Sequence, residues 1–238
     1  MPTDMQHQQM GYDRAATMFS PDGHLLQVEY AEKTIRLGSA SIGIVCTDGI
    51  IIVADKKVKD PLMLRESAAK IYEIDSHIMA SAAGILSDAR ILVEKAQLLC
   101  QQHRVTYDSP IDTESIIKEI ANIKQAFTQY GGARPFGVSI MIAGVNNKPH
   151  LYTSDVTGNY FAFKATAIGE NDEKIKELLR EDYKENINCE QGIKLCLEIL
   201  KKILGKAFSL ERIDAGIIRT KDKKLEQISS EGLKKYLK

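Results

Sequence analysis

Between residues 39 and 55 the apolar pattern stops following a helix and reads as a hairpin. Ser39-Ala40-Ser41-Ile42-Gly43-Ile44-Val45-Cys46 precedes Asp48-Gly49, and Ile50-Ile51-Ile52-Val53-Ala54-Asp55 follows it. Asp-Gly is compatible with a type I′ turn, so two antiparallel strands are expected here. The run from Ile50 to Ala54 has no polar alternate, which calls for a strand covered on both faces. A strand of that kind belongs in a layered structure.

The rest of the chain supplies the layers. Ser20-Pro21-Asp22-Gly23 is a turn by composition, because proline fixes φ and glycine accepts positive φ. Over residues 24–37, Leu25, Val28, Ala31 and Ile35 follow helical spacing, and Gly38 fits a stop just past the C-cap. Residues 70–75 and 77–83 form a second expected strand pair. Two helices come next, one carrying Ile85, Ala89, Leu92, Val93, Ala96 and Leu99 on one face. The other carries Ile116, Ile120, Ile123, Phe127 and Tyr130, and is expected to end at Gly131-Gly132. Strands return at 136–145, 150–154, 160–163 and 165–168, followed by helices at 171–183 and 190–204. Strands at 213–219 and 225–228 and a short helix over 229–237 complete the order.

Blocks of strands and paired helices fit layered sheets flanked by helices better than a strictly alternating doubly wound sheet. The expectation is an α+β fold, a four-layer α-β-β-α sandwich in a single domain spanning 1–238. Within it, 1–19 reads as a mobile tail, 20–38 as a turn plus an N-terminal helix, and 39–238 as the sandwich.

With 44% apolar and 27% charged residues, 238 residues suffice for a real core. Lysine plus arginine equals aspartate plus glutamate at 32 each, so no bulk charge draws the chain to nucleic acid or to an anionic membrane. No apolar run approaches the roughly 18 residues that a membrane span requires. The N-terminus is polar, without the layout of a secretory signal. Cys46, Cys100, Cys189 and Cys196 lack both CxxC spacing and disulfide-framework density. These features lead to an expected cytoplasmic protein with buried thiols and no cofactor.

Several motifs fail on chemistry. Gly38 and Gly43 have phosphate-loop spacing, but Ile44-Val45 stands where lysine and a hydroxyl are required. Gly137-Val138-Ser139 does not complete a nucleophile elbow, because Met141 takes the last position. Cys100 and His103 lie three apart on a helix with no second ligand pair nearby, so no metal site is expected. The charges over 170–185 pair at helical spacing and read as a solvated face.

The segment Gly11-Tyr12-Asp13-Arg14-Ala15-Ala16-Thr17-Met18-Phe19-Ser20-Pro21-Asp22-Gly23-His24-Leu25-Leu26-Gln27-Val28-Glu29-Tyr30-Ala31 resembles the N-terminal signature of proteasome α subunits. Lys70-Ile71-Tyr72-Glu73-Ile74-Asp75, the block from Tyr130 through Ser139, and Lys164-Ala165-Thr166-Ala167-Ile168-Gly169 join it in family order. The variant looks more like the archaeal type than any one of the eukaryotic set. The resemblance implies the sandwich of N-terminal-nucleophile hydrolases, and a non-catalytic place in a seven-membered outer ring of the 20S core particle. Catalytic β subunits would form the inner rings.

It also implies roles for particular residues. Residues 1–11 would form a gate over the axial pore, with Tyr12, Asp13, Arg14, Pro21 and Tyr30 bracing its open form. Lys70, with Gly38 and Leu25 as walls, would line a pocket between neighbouring α subunits that takes the C-terminal carboxylate of an activator ATPase. The implied partners are β subunits, a homo-heptameric α ring, a proteasome-activating ATPase, and protein substrates in transit to ubiquitin-like or ATPase-driven degradation. Nucleic acid and membrane are not among them.

Two other readings compete. Alignment with a mature β chain puts Ser39 at the nucleophile, Lys70 at the catalytic lysine and Asp55 at the acid. An active peptidase of this type needs the free α-amine of a first residue, and an internal serine offers only a non-basic amide. The third reading is a free-standing oligomeric binding protein.

Overall fold

The computed structural model describes residues 10–57 and 62–237. After helix α1 (Leu26–Ile35), strands β1 (Ser41–Cys46), β2 (Gly49–Asp55), β3 (Tyr72–Asp75) and β4 (Ile78–Gly84) lead to α2 (Leu86–Tyr107) and α3 (Thr113–Phe127). Strands β5 (Val138–Val145), β6 (Pro149–Ser154), β7 (Tyr160–Ala162) and β8 (Ala165–Ile168) follow. The chain then runs through α4 (Asp172–Asp182), α5 (Cys189–Leu204), β9 (Ile213–Arg219), β10 (Leu225–Ile228) and α6 (Ser230–Leu233).

The strands form two five-stranded sheets, ordered β10-β9-β2-β1-β8 and β3-β4-β5-β6-β7. Adjacent strands run antiparallel in both. Strand β2 is buried along its whole length, and its alternating side chains serve two different cores. Ile51 and Val53 join Ile193, Leu197 and Leu200 of α5, while Ile50, Ile52 and Ala54 meet Met79, Met141 and Ala143 of the other sheet. On the far side of that sheet, Ala80, Ala82, Ile140 and Ile142 pack against Leu92, Ala96, Ile116 and Ile120 of α2 and α3. The expected α-β-β-α order of layers is the one the chain adopts.

Three local expectations are corrected. The β1–β2 register pairs Cys46 with Gly49, so Thr47-Asp48 form the turn, and neither has the positive φ that type I′ needs. Gly49 is instead required by close packing, since a Cβ there would lie 2.4 Å from the Ile218 carbonyl oxygen. Gly38 likewise does not adopt the left-handed C-cap conformation. Its Cβ would fall 2.2 Å from the backbone nitrogen of Gly84, so the chain leaving α1 can lie directly on the end of β4 only as glycine. Helix α3 ends at Phe127, before the expected Gly131-Gly132, as the Thr128 hydroxyl donates to the Gln125 carbonyl at 2.7 Å. Tyr130 therefore lies past the buried stripe and is exposed.

Candidate functional site

The N-terminal face is built on the turn the sequence announces. The Gly23 amide donates to the Ser20 carbonyl at 2.9 Å, and Gly23 takes φ of 82°. The buried Ser20 closes the turn, its hydroxyl accepting from the His24 amide at 3.1 Å. Helix α1 then lays Val28 and Ala31 against Val156 of the β6–β7 connection. At its far end the Thr34 hydroxyl donates to the Gly137 carbonyl at 2.8 Å. Gly137 is itself held, because its amide donates to Asp88 at 2.9 Å, and Arg134 grips both Asp88 oxygens at 2.7 Å.

Upstream, the Gln27 side chain donates to the Asp13 carbonyl at 2.5 Å, and the Arg14 amide closes a turn on the Gly11 carbonyl at 3.2 Å. Asp13 is thus tethered to α1 three residues before Tyr30, whose ring lies 5.2 Å from the Lys33 ammonium. Tyr12 and Tyr30 are half-buried, and Arg14 and Pro21 are exposed. Residues 1–9 of the expected gate lie outside the described residues.

Gly38 and Lys70 converge on one stretch of β4. Gly38 abuts Ala83 and Gly84, and the Lys70 ammonium donates to the Ala82 carbonyl at 2.5 Å. Lys70 is only 3% exposed. Burial brings its ammonium down to about 8, with Asp55 and Asp214 opposing. Leu25 sits elsewhere, packed with Val28, Ala31 and Val156.

Ser39 is buried next to Gly38. The chain closes over it on two sides, with the Glu170 amide donating to the Gly38 carbonyl at 2.7 Å and Gly84 pressed against Gly38. Asp55 is not free to tune a nucleophile, since Arg212 donates to its two oxygens at 2.7 and 2.6 Å. Asp214 accepts from the Lys70 amide at 2.9 Å and pairs with Lys56 at 2.7 Å. The nucleophile, lysine and acid positions are thus occupied, but the serine nitrogen is a peptide amide and cannot act as a base.

A family model for the N-terminal signature of A-type proteasome subunits matches residues 12–33, and one for proteasome subunits in general matches residues 35–218. The proteasome α subunit of Pyrococcus horikoshii is 45% identical over 229 residues, covering 96% of this chain and 88% of the relative.

The chain belongs to the proteasome α-subunit family.

The proteasome α subunits of Archaeoglobus fulgidus and Methanosarcina acetivorans are each 42% identical, again over 96% of this chain and 93% of the relative. As an α-type member the chain is part of the non-catalytic ring of the proteasome core. The peptide-bonded, buried Ser39 gives the chemical reason in this member of the family.

Arg212, Asp214 and Glu170 escaped the sequence reading. Each meets Asp55, Lys70 or Gly38 only through the fold, Arg212 lying 157 residues from Asp55, and no local spacing marks them. The other sites considered take structural roles. His103 pairs through Nδ1 with the Ser109 carbonyl at 3.0 Å, and burial pushes the Cys100 thiol up to about 12. Among the described residues no cluster of His, Cys, Asp and Glu could hold a metal, and no helix is long and apolar enough to cross a membrane.

Proposed function

We propose that this α subunit gates the axial entrance of a cytoplasmic 20S core particle and docks an activator ATPase on its outer face. The observation that supports this best is the Gln27–Asp13 hydrogen bond, which fixes the point from which the N-terminal segment leaves the body. A segment anchored at its root can be re-ordered by a modest binding energy. In this reading residues 1–11 are the tail, and Tyr12, Asp13, Arg14, Pro21 and Tyr30 brace it when it opens. The whole chain, 1–238, acts as one domain.

Seven copies form the ring, with α1 and the exposed Met18, Phe19 and Leu37 as its contact surface. The β subunits stack beneath it, and protein substrates pass through. Activator tails enter beside Lys70 and Gly38, and Leu25, which sits apart from them within one subunit, lines the pocket from the neighbouring copy. Lys70 gives one of the three N–H groups of its ammonium to the Ala82 carbonyl, and a terminal carboxylate reaching another would make a bond ionised at both ends, which favours docking.

The test is peptidase activity of the chain alone and with its β partner, each with and without residues 2–12. Faster hydrolysis of long peptides by the truncated mixed particle is the expected result. Unchanged hydrolysis of long peptides would sink the gate reading.

A further inference from the structure

Thr34 lies in the last turn of α1, four residues before Gly38, and its hydroxyl faces two acceptors. The Ala31 carbonyl of its own helix is at 2.7 Å and the Gly137 carbonyl at 2.8 Å. A hydroxyl has one proton to donate, so these two acceptors compete for it. The Gly137 carbonyl is likewise doubly supplied, since it also accepts from the Ile85 amide at 2.9 Å. Parting Thr34 from Gly137 therefore orphans neither group. The hydroxyl keeps Ala31 and the carbonyl keeps Ile85. Breaking a hydrogen bond costs most when a buried group is left without a partner, and here none is.

One side of this contact is fixed. The Gly137 amide donates to Asp88 at 2.9 Å, and Arg134 holds both Asp88 oxygens. Gly84, with φ of 121°, lies against Gly137 so closely that a Cβ on Gly84 would fall 2.2 Å from the Gly137 carbonyl oxygen. Gly84 is also the residue on which Gly38 rests, and Lys70 binds the Ala82 carbonyl two residues upstream on β4. The exit of α1, the end of β4 and the start of β5 thus meet in one backbone junction beside Lys70.

The other side, the end of α1, is held more lightly. Arg36 reaches Glu173 at 3.3 Å, and both side chains are largely exposed, so that pair contributes little. Ile35 is only partly buried between two cores.

We propose that the Thr34–Gly137 hydrogen bond is a releasable latch on α1, closed in the undocked subunit and opened when an activator tail enters beside Gly38 and Lys70. The inference rests on the docking reading above. Gly38 has no room to yield toward β4, so a tail that displaces it shifts the last turn of α1 away from β4 and β5. Thr34 then turns its proton to the Ala31 carbonyl. Thr34 is a positioning residue in this scheme, because it touches no docked group and acts through the end of α1.

Linkage gives the latch a sign that a merely structural hydrogen bond would not have. A tail that binds the open state is weakened by the fraction of subunits that are closed, and removing the hydroxyl removes that handicap. Thr34→Val, which keeps the shape of the side chain, is expected to bind the tail about fivefold more tightly than the parent. Thr34→Ser keeps the hydroxyl and should bind as the parent does.

The experiment titrates the assembled particle, with its β partner, with a fluorescent peptide carrying the C-terminal residues of the activator ATPase and a free carboxylate. The same peptide ending in an amide is the control. Tighter binding by Thr34→Val alone supports the latch. Equal or weaker binding by Thr34→Val overturns it, as does a Thr34→Ser particle that behaves like Thr34→Val. Amide exchange over residues 34–38, measured without peptide and relative to α5, reads the latch directly. The Leu37 and Gly38 amides, which donate to the Thr34 and Ile35 carbonyls at 3.2 and 3.0 Å, should exchange faster in Thr34→Val and at the parental rate in Thr34→Ser. If the free-acid peptide binds no better than its amide, the docking reading fails and exchange alone decides the latch. Unchanged exchange in Thr34→Val then overturns it.

Discussion

Arg212 holds both carboxylate oxygens of Asp55, at 2.7 and 2.6 Å, and Asp55 is only 1% exposed. Removing the guanidinium would leave a buried carboxylate held only by the Lys57 amide at 3.2 Å and by more distant ammonium groups. Arg212→Met is expected to cost on the order of 3 kcal/mol, the usual consequence of breaking a buried pair from one side. Asp55→Asn combined with Arg212→Met should cost less than Arg212→Met alone. Urea denaturation of the set checks this, and a double variant no better than the single one contradicts it.

Asp88 should make the fold sensitive to acid in a defined window. The Arg134 hydrogen bonds, with help from the Gly137 amide, hold its carboxyl below the usual range, while burial opposes them. A carboxyl depressed in the folded state contributes stability that is complete above its ordinary pKa and lost as pH falls through the folded value. Asp88→Asn is expected to flatten the acid limb of a stability–pH curve and to loosen α1 through Gly137 and Thr34. Denaturation midpoints across the acid range, read beside proteolysis within residues 20–38, test both consequences.

Much of this was legible in the sequence where periodicity carried the information. Strands β8, β9 and β10 fall where the apolar alternation places them, and the uninterrupted run in β2 foretold a strand shared by two cores. What stayed hidden was set by contacts distant in sequence. Glycine at 38 and 49 answers to backbone packed from β4 and β9, which turn rules do not register. Lys124 extends the Ile116–Ile120 stripe at the same spacing of four, so its burial was within reach. A lysine is read as surface by default, and only the Ser154 carbonyl and hydroxyl, at 3.0 and 3.3 Å from its ammonium, make its burial tolerable.

Gly38→Ala tests the close approach directly. The new Cβ would meet Gly84 nitrogen at 2.2 Å and Ala83 carbonyl carbon at 2.9 Å, both backbone atoms that cannot rotate away. A cost of about 1–3 kcal/mol is expected, as for other overpacked sites. Gly131→Ala, where nothing lies within 4 Å, is the control and should be near neutral. Thermal denaturation of the two variants side by side decides it, and equal midpoints would mean that the chain at Gly38 gives way freely.

Lys70 allows stability and docking to be separated. Its folded value of about 8 lies below the ordinary 10.5, so burying the charge costs most below about pH 8. The cost disappears as pH rises toward 10.5, and stability should climb across that window by up to about 3 kcal/mol. Lys70→Met, which keeps length and removes the charge, is expected to abolish that slope and to be no less stable than the parent at neutral pH. If Lys70 also receives an activator's terminal carboxylate, the same variant should lose activation by the ATPase while its particle assembles normally. A variant that loses the pH slope yet responds fully to the activator would leave Lys70 a buried structural cation and move the docking pocket elsewhere.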